Sequence, residues 1–260
     1  MASAVADLSR TTSGNDRFNA EAAAWDAQPF VHEASKGASQ AITKLLEKDF
    51  DKQQISKLDI LEIGCGTGIL SFLLAPHVRQ IVAVDAAQGM IDVLQKKCAG
   101  PEAPKNIIPL ALLLEDPEDD RLPPADTHHP GGARQKFDII TSHLVLHHIP
   151  DLKPVLKTLY GCLKPGGRVM LTDFQDFGPE AKRFHPASKM GGVARHGVNA
   201  NEMANLMKSV GFEQVDVRPH WVAKKIVEKY EGEFGPDGKA LKDMGDKMDF
   251  PFLVCLGTRR

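Results

Sequence analysis

Three glycines at alternate positions, Gly64, Gly66 and Gly68, follow one acid, Glu62, and precede another, Asp85. Glycine in a turn lets the backbone approach a ligand closely, and the free N–H groups of a helix start then face that ligand. Asp85 ends an apolar segment, where a carboxylate can accept hydrogen bonds from a ribose diol. A second concentration of chemistry is Ser142 with His143, His147 and His148. Imidazoles titrate near neutral pH, so His143 and His148 are candidate general bases for an O–H or N–H nucleophile. His143 and His147 are also four apart, a spacing that could set two imidazoles on one helical face as metal ligands. No third ligand has a natural position beside them, so no metal is expected. The plainer alternative is that these histidines order a ligand pocket or bond the backbone.

The elements that must position these residues follow from hydrophobic pattern. Leu58–Ile63 is a short apolar run of the kind buried on both faces of a parallel sheet, Ile69–Ala75 reads as helix, and Gln80–Val84 as a second buried strand. Strand, glycine turn, helix and acid-tipped strand make a nucleotide-binding βαβ unit. A dinucleotide fingerprint would need its third glycine at position 69, where Ile69 stands. Further strands are expected over Asn106–Leu114, with Glu115-Asp116 at its end, and over Phe137–Ser142, Arg168–Asp173, Phe212–Val217 and Met248–Gly257. Helices are expected over Arg17–Trp25, Ala34–Phe50, Ile91–Lys97, Leu152–Cys162 and Asn199–Val210, with a helical, lysine-rich excursion before the last strand. Lys164-Pro165-Gly166-Gly167 reads as a turn in which a left-handed glycine ends the preceding helix. Pro117–Lys136 has no hydrophobic period and reads as a flexible insertion. Its His128-His129 pair is too weak a pattern for a metal tract.

The E-x-G-x-G-x-G spacing of Glu62, Gly64, Gly66 and Gly68 resembles motif I of the class I S-adenosylmethionine (SAM) dependent methyltransferases, and Asp85 matches their ribose-binding acid. Phe137-Asp138-Ile139-Ile140-Thr141-Ser142, the histidine-rich turn and the Lys-Pro-Gly-Gly turn look like the small-molecule methyltransferases related to ubiquinone and menaquinone biosynthesis. The resemblance covers roughly residues 55 to 257. It implies an α/β fold: a seven-stranded Rossmann-like sheet of order 3-2-1-4-5-7-6, strand seven antiparallel, with helices on both faces. It implies SAM as cofactor, S-adenosylhomocysteine as product, and methyl transfer by in-line displacement to a nucleophilic atom. The implied cofactor contacts are Glu62, Gly64, Cys65, Gly66, Gly68, Asp85, Ala86, Met90, Glu115 and Ser142, with His143 and His148 as the catalytic candidates near the methyl. Residues 1–54 then form an N-terminal helical segment or lid, in which Phe18, Trp25 and His32 either close over the cofactor or simply cover the sheet. Residues 55–260 form the cofactor-binding domain, with insertions near 117–136 and 174–198. The second insertion carries Phe174, Phe177, Phe184, His185, Met190 and His196, a content that suits a small apolar or aromatic acceptor.

Composition sets the outer bounds. With 260 residues, 42% apolar and 25% charged content, the chain has an ordinary globular make-up and an ample core. Net charge near −2 gives no electrostatic footprint for nucleic acid. The longest apolar stretches are core-strand length, so no membrane span is expected. Cys65, Cys98, Cys162 and Cys255 form no C-x-x-C pair and fit a reducing compartment, and the first residues lack the apolar core of a secretory signal. A cytoplasmic location is the expectation. Oligomeric state is not readable. Two rivals stand beside the enzyme reading. A nicotinamide oxidoreductase is disfavoured by the missing glycine and the absence of a Tyr-x-x-x-Lys pair; a non-catalytic SAM-binding regulatory or scaffold protein keeps motif I without turnover. A protein methyltransferase is the lesser enzyme alternative, since the Asn/Asp-Pro-Pro-Tyr signature of amide and base methylation is missing after strand four.

Overall fold

A computed structural model of the chain describes residues 16–260. Of the N-terminal segment expected over residues 1–54, residues 1–15 lie outside those described. The helices are α1 (residues 16–25), α2 (Pro29–Leu46), α3 (Lys52–Ile55), α4 (Ile69–Leu74), α5 (Gln88–Cys98), α6 (Leu152–Cys162) and α7 (Ala200–Val210). The strands are β1 (Asp59–Ile63), β2 (Gln80–Asp85), β3 (Ile107–Ala111), β4 (Phe137–His143), β5 (Leu163–Phe174), β6 (Glu213–Val227) and β7 (Asp246–Thr258).

They form one seven-stranded sheet in the order β3-β2-β1-β4-β5-β7-β6. The first five strands pair in parallel, and β7 runs antiparallel to both β5 and β6. Side chains alternate across the pleat, so each strand feeds two cores. Ile60, Ile81, Ala83, Ile139, Met170 and Val254 pack under α2, α4 and α5. Leu61, Val82, Val84, Ile140, Val169 and Leu171 face the opposite layer of α6 and α7. All the parallel strands therefore deliver their carboxyl ends to one edge of the sheet, where open α/β sheets bind ligands.

Four local expectations are corrected. β3 stops at Ala111 rather than Leu114: the Leu112 N–H closes the last ladder bond on the Asp85 carbonyl at 2.8 Å, and β2 ends at Asp85, leaving Leu113 and Leu114 no strand to pair with on that side. α6 ends at an extended Leu163 (φ −77°, ψ 149°), which already pairs with Phe137; left-handed Gly166 (φ 78°) turns the chain three residues later. The Pro117–Lys136 insertion is knitted rather than loose: buried Arg134 bonds the carbonyls of Gly132, Asp120, Leu122 and Pro130. Finally, β6 runs on to Val227, and residues 228–245 hold turns where a helix is expected.

The β6–β7 ribbon outruns β5, which pairs with β7 only as far as Phe174↔Phe252. Its overhang packs Phe250, Phe252, Ala223 and Val227 against Phe174, Phe184 and Ala34, an aromatic cluster beyond the carboxyl end of β5. Among the described residues, no helix is long and apolar enough to cross a membrane.

Candidate functional site

β1 and β2 end on either side of the glycine turn. All three glycines hold left-handed backbone, with φ of 64°, 54° and 82° at Gly64, Gly66 and Gly68. A Cβ at Gly64 would lie 2.4 Å from Val145, and one at Gly68 would lie 2.4 Å from Leu94. At Gly66 the nearest atom would be Trp25 Nε1 at 4.0 Å, so this glycine faces open space while its neighbours face packed protein.

Asp85 braces the turn. One of its oxygens accepts the Gly66 N–H at 2.9 Å and the other the Ala87 N–H at 2.8 Å. Each carboxylate oxygen has a further lone pair, so two more donors such as a diol can be accommodated. Burial pushes the Asp85 carboxyl above its usual range in spite of those two donors. Glu62 lies beneath the turn, 2% exposed, where it accepts the Ser71 hydroxyl. Burial lifts it to about 8 against that hydrogen bond, with the Asp85 charge adding. The Cys65 thiol is likewise pushed up by burial, and its backbone N–H bonds the Val84 carbonyl at 3.0 Å. Ala86 is half-buried beside Asp85, and Met90 is buried on α5 with Ala87 and with Ala22, Phe18 and Trp25 of α1. Glu115 stands four residues past β3, exposed, its carbonyl taken by the Thr158 hydroxyl of α6 at 2.8 Å.

α1 lies across this half. The Asn19 side chain accepts the Gly89 N–H at 2.7 Å. Just past α1, Asp26 pairs with Lys97 Nζ at 2.6 Å and accepts the Thr67 hydroxyl, while Lys97 also bonds the Thr67 carbonyl at 2.9 Å. His32, by contrast, is exposed and bonds only the Asp26 carbonyl at 2.7 Å. Toward the other half, Arg17 bonds the carbonyls of Lys189 and Gly191 at 2.8 and 2.9 Å, and the Phe18 ring meets His148 edge-on.

The histidines lie at the carboxyl ends of β4 and β5. Ser142 is opposite Ile63 of β1, next to the glycine turn, with a buried and unpartnered hydroxyl. His143 bonds the Thr172 hydroxyl through Nδ1 at 2.9 Å, packs against Trp221 and Phe252, and keeps a buried, unpartnered Nε2. Burial drops its pKa to about 4. Leu144 then turns left-handed (φ 57°), and a 3-10 turn over Leu146–His148 points the next two imidazoles elsewhere. His147 is buried with Nδ1 at 2.8 and 2.9 Å from the two carboxylate oxygens of Asp173. Burial pushes the Asp173 carboxyl up, yet His147 and the backbone N–H groups of His147 and Phe174 hold it below the usual range. His148 donates to the Gly192 carbonyl at 2.9 Å, and burial first, then His147, takes its pKa down to about 4. His185, from the cap after β5, meets both, and burial lowers it further still.

The structure thus gathers Gly66, Asp85, Ala86 and Ser142 around one edge, keeps Glu62 and Cys65 beneath it, and leaves Glu115 outside on α6. It separates His143 from His147, so the helical pair that their spacing allowed does not form. Sequence reading missed Asp173 and His185, which share no spacing with the histidine turn, and the Asn19 and Asp26–Lys97 links, whose partners are 70 and 71 residues apart.

The sheet order, with an open glycine turn and an acid at the tips of β1 and β2, defines the class I methyltransferase fold. Residues 30–217, well over half of the chain, match the model of the methyltransferase domain family, and the chain belongs to that family. Among curated relatives, an uncharacterised methyltransferase of Schizosaccharomyces pombe is 32% identical over 62% of this chain and 56% of its own length. The demethylmenaquinone methyltransferase of Lactobacillus johnsonii is 33% identical over 47% of each chain. The chain therefore spans about half the length of the curated relatives it matches. In fold it is similar to a SAM-dependent methyltransferase of Thermotoga maritima, with 20% identity and a TM-score of 0.57 over 94% of this chain and 98% of that one.

Proposed function

We propose that the protein transfers a methyl group from SAM to a small apolar or aromatic molecule. The observation that carries the reading is Asp85, whose two oxygens brace Gly66 and Ala87 and keep lone pairs for a ribose diol beside the open face of Gly66. When bound, SAM supplies a methyl on a cationic sulfonium, an electrophile needing only an aligned nucleophile.

In this reading the chain's residues do the rest. Asp85 holds the ribose, Gly64, Gly66 and Gly68 allow close backbone approach, Ala86 and Met90 wall the adenosine, and the unpartnered Ser142 hydroxyl points to the methyl-bearing end. Asp85 is the acid that offers negative charge under a cationic ligand, while Glu62, lifted to about 8 by burial, keeps its proton at neutral pH. Alignment can remove about 7–11 kcal/mol of barrier, whereas a base adds about 10²–10⁴-fold in rate, and only for acceptors that must lose a proton. His148 is the better proton acceptor of the two catalytic candidates, because a carbonyl on Nδ1 leaves Nε2 as a lone pair. His143, boxed between Trp221 and Phe252, positions the acceptor. α1 serves as the lid through Trp25 and Phe18. The aromatic cap around Phe174 and Phe184 favours an apolar acceptor over a peptide or nucleic acid.

Isothermal titration with S-adenosylhomocysteine tests the cofactor. Micromolar binding that falls at least about 100-fold in Asp85→Ala is expected, in line with loss of two charge-assisted hydrogen bonds. A folded wild-type chain that binds none would sink the reading. Labelled SAM offered with pools of small hydroxy- and aminoaromatics then separates turnover from binding alone.

A further inference from the structure

Among the described residues, one group of three metal-capable side chains lies together: His147, His148 and His185. One ligand atom from each lies within 4.8 Å of the others. The outer hydrogen bonds decide which nitrogens are free. His147 Nδ1 faces a carboxylate and His148 Nδ1 faces a carbonyl, groups that accept, so both Nδ1 atoms carry the proton. Their Nε2 atoms are left as lone pairs. His147 is 1% exposed and its Nε2 has no partner; the buried Nδ1 of His185 has none either. Two orphaned buried nitrogens in one group of three imidazoles are costly unless something partners them.

We propose that these three imidazoles form a binding site for a divalent transition metal of the zinc class. The donor set is the three-histidine set of an open zinc site, with a fourth position left for water or a ligand. A tetrahedral ion with Zn–N of about 2.0–2.1 Å needs nitrogens about 3.3 Å apart, a contraction of at most about 1.5 Å from the arrangement seen. Asp173 supplies the outer carboxylate that orients a ligating histidine and raises its basicity. Phe174 and Phe184, stacked at 3.9 Å, wall the group with apolar surface that keeps competing water away. The cations nearby, Arg17 and Lys225, are both turned onto aromatic rings, Arg17 on Phe18 and Lys225 on Phe30 and Phe184.

The site itself does not depend on methyl transfer; its use does. Resting on that reading, the open position would take an oxygen or thiol of the acceptor and make its proton more acidic. Metal binding and proton acceptance by His148 use the same lone pair, so the two roles exclude each other.

The test uses the full chain, purified without a histidine tag and stripped with a chelator. Cobalt(II) is titrated in and followed by visible absorption, then displaced by zinc. One equivalent giving the intense bands of a tetrahedral ion, lost on zinc addition, is expected. His185→Asn and His148→Gln should each weaken cobalt binding at least about 100-fold while still binding S-adenosylhomocysteine, which shows that they fold. Absorption no stronger than aqueous cobalt, or cobalt binding unchanged in both variants, overturns the site. Cobalt binding without S-adenosylhomocysteine binding in the wild type keeps the metal site and removes the methyltransferase reading; the reverse result does the opposite.

Discussion

The two halves of the ligand edge are built differently. On the cofactor side, short-range backbone geometry does the work: three left-handed glycines and one acid bonded to two N–H groups within 21 residues of one another. On the histidine side, the backbone contributes a single 3-10 turn, and the arrangement comes from Asp173 and His185 arriving from β5 and its cap. The first half is held mainly by contacts within its own βαβ unit. The second is a packed aromatic cluster that can be altered while the first persists. Such a difference would let one sheet keep the ligand of its glycine turn while the opposite half varies.

Four experiments would break or sharpen this contrast. The largest effect is expected from Phe184→Ala, which removes a ring stacked on Phe174 and 3% exposed. It should cost about 3–5 kcal/mol in denaturant melts, yet leave S-adenosylhomocysteine affinity within a few-fold once folded. Equal loss of cofactor affinity would join the two halves. Gly64→Ala tests the opposite direction. Its Cβ meets Val145 at 2.4 Å in left-handed backbone, so about 2–4 kcal/mol of destabilisation is expected together with loss of cofactor binding.

The third experiment is a pH series. Glu62 is raised from 4.5 to about 8 on folding, so its native state holds the proton more tightly than the unfolded chain does. Its contribution is therefore complete below about pH 4.5 and is lost as pH rises through about 8. Glu62→Gln, which keeps a partner for Ser71, should flatten the fall in melting temperature between pH 5 and 9; parallel curves would place the charge elsewhere. The smallest effect on stability is expected from Asp26→Ala. Its ion pair with Lys97 is about one-third exposed, worth about 0.2–1 kcal/mol. Proteolytic cleavage within residues 17–28 should nonetheless quicken, and unchanged cleavage would detach Asp26 from the hold on α1.

Legibility in the sequence follows the same divide. The glycine turn and Asp85 lie in local patterns whose spacing carries the geometry, the strand order followed from the family resemblance, and all appear where expected. The ends of elements were harder. β3 ends because β2 ends opposite it at Asp85, and the ribbon of β6 continues because β7 is there to pair with it; neither partner is visible in the local window. Arg134 turned an apparently loose proline-rich stretch into an ordered one by collecting carbonyls, which a composition argument cannot foresee. The grouping of His147, His148 and His185 was not legible for a related reason. Helical spacing only allowed a His143–His147 pair, a left-handed Leu144 rotates the chain between those two, and His185 lies 37 residues beyond His148.

α1 is fastened at both ends of the site, through Asn19 to Gly89 on one side and through Arg17 and Phe18 to Lys189, Gly191 and His148 on the other. One ten-residue segment thus stands at both exits. On the methyltransferase reading proposed above, departure of either spent ligand would require the same local release, making the two departures one event. On the proposed reading, with α1 as lid, turnover would follow how often that segment lets go rather than bond making, as in other lidded enzymes. The expected signature is a burst of product equal to the enzyme present, followed by a slower steady rate that rises when the Asp26–Lys97 tie is cut.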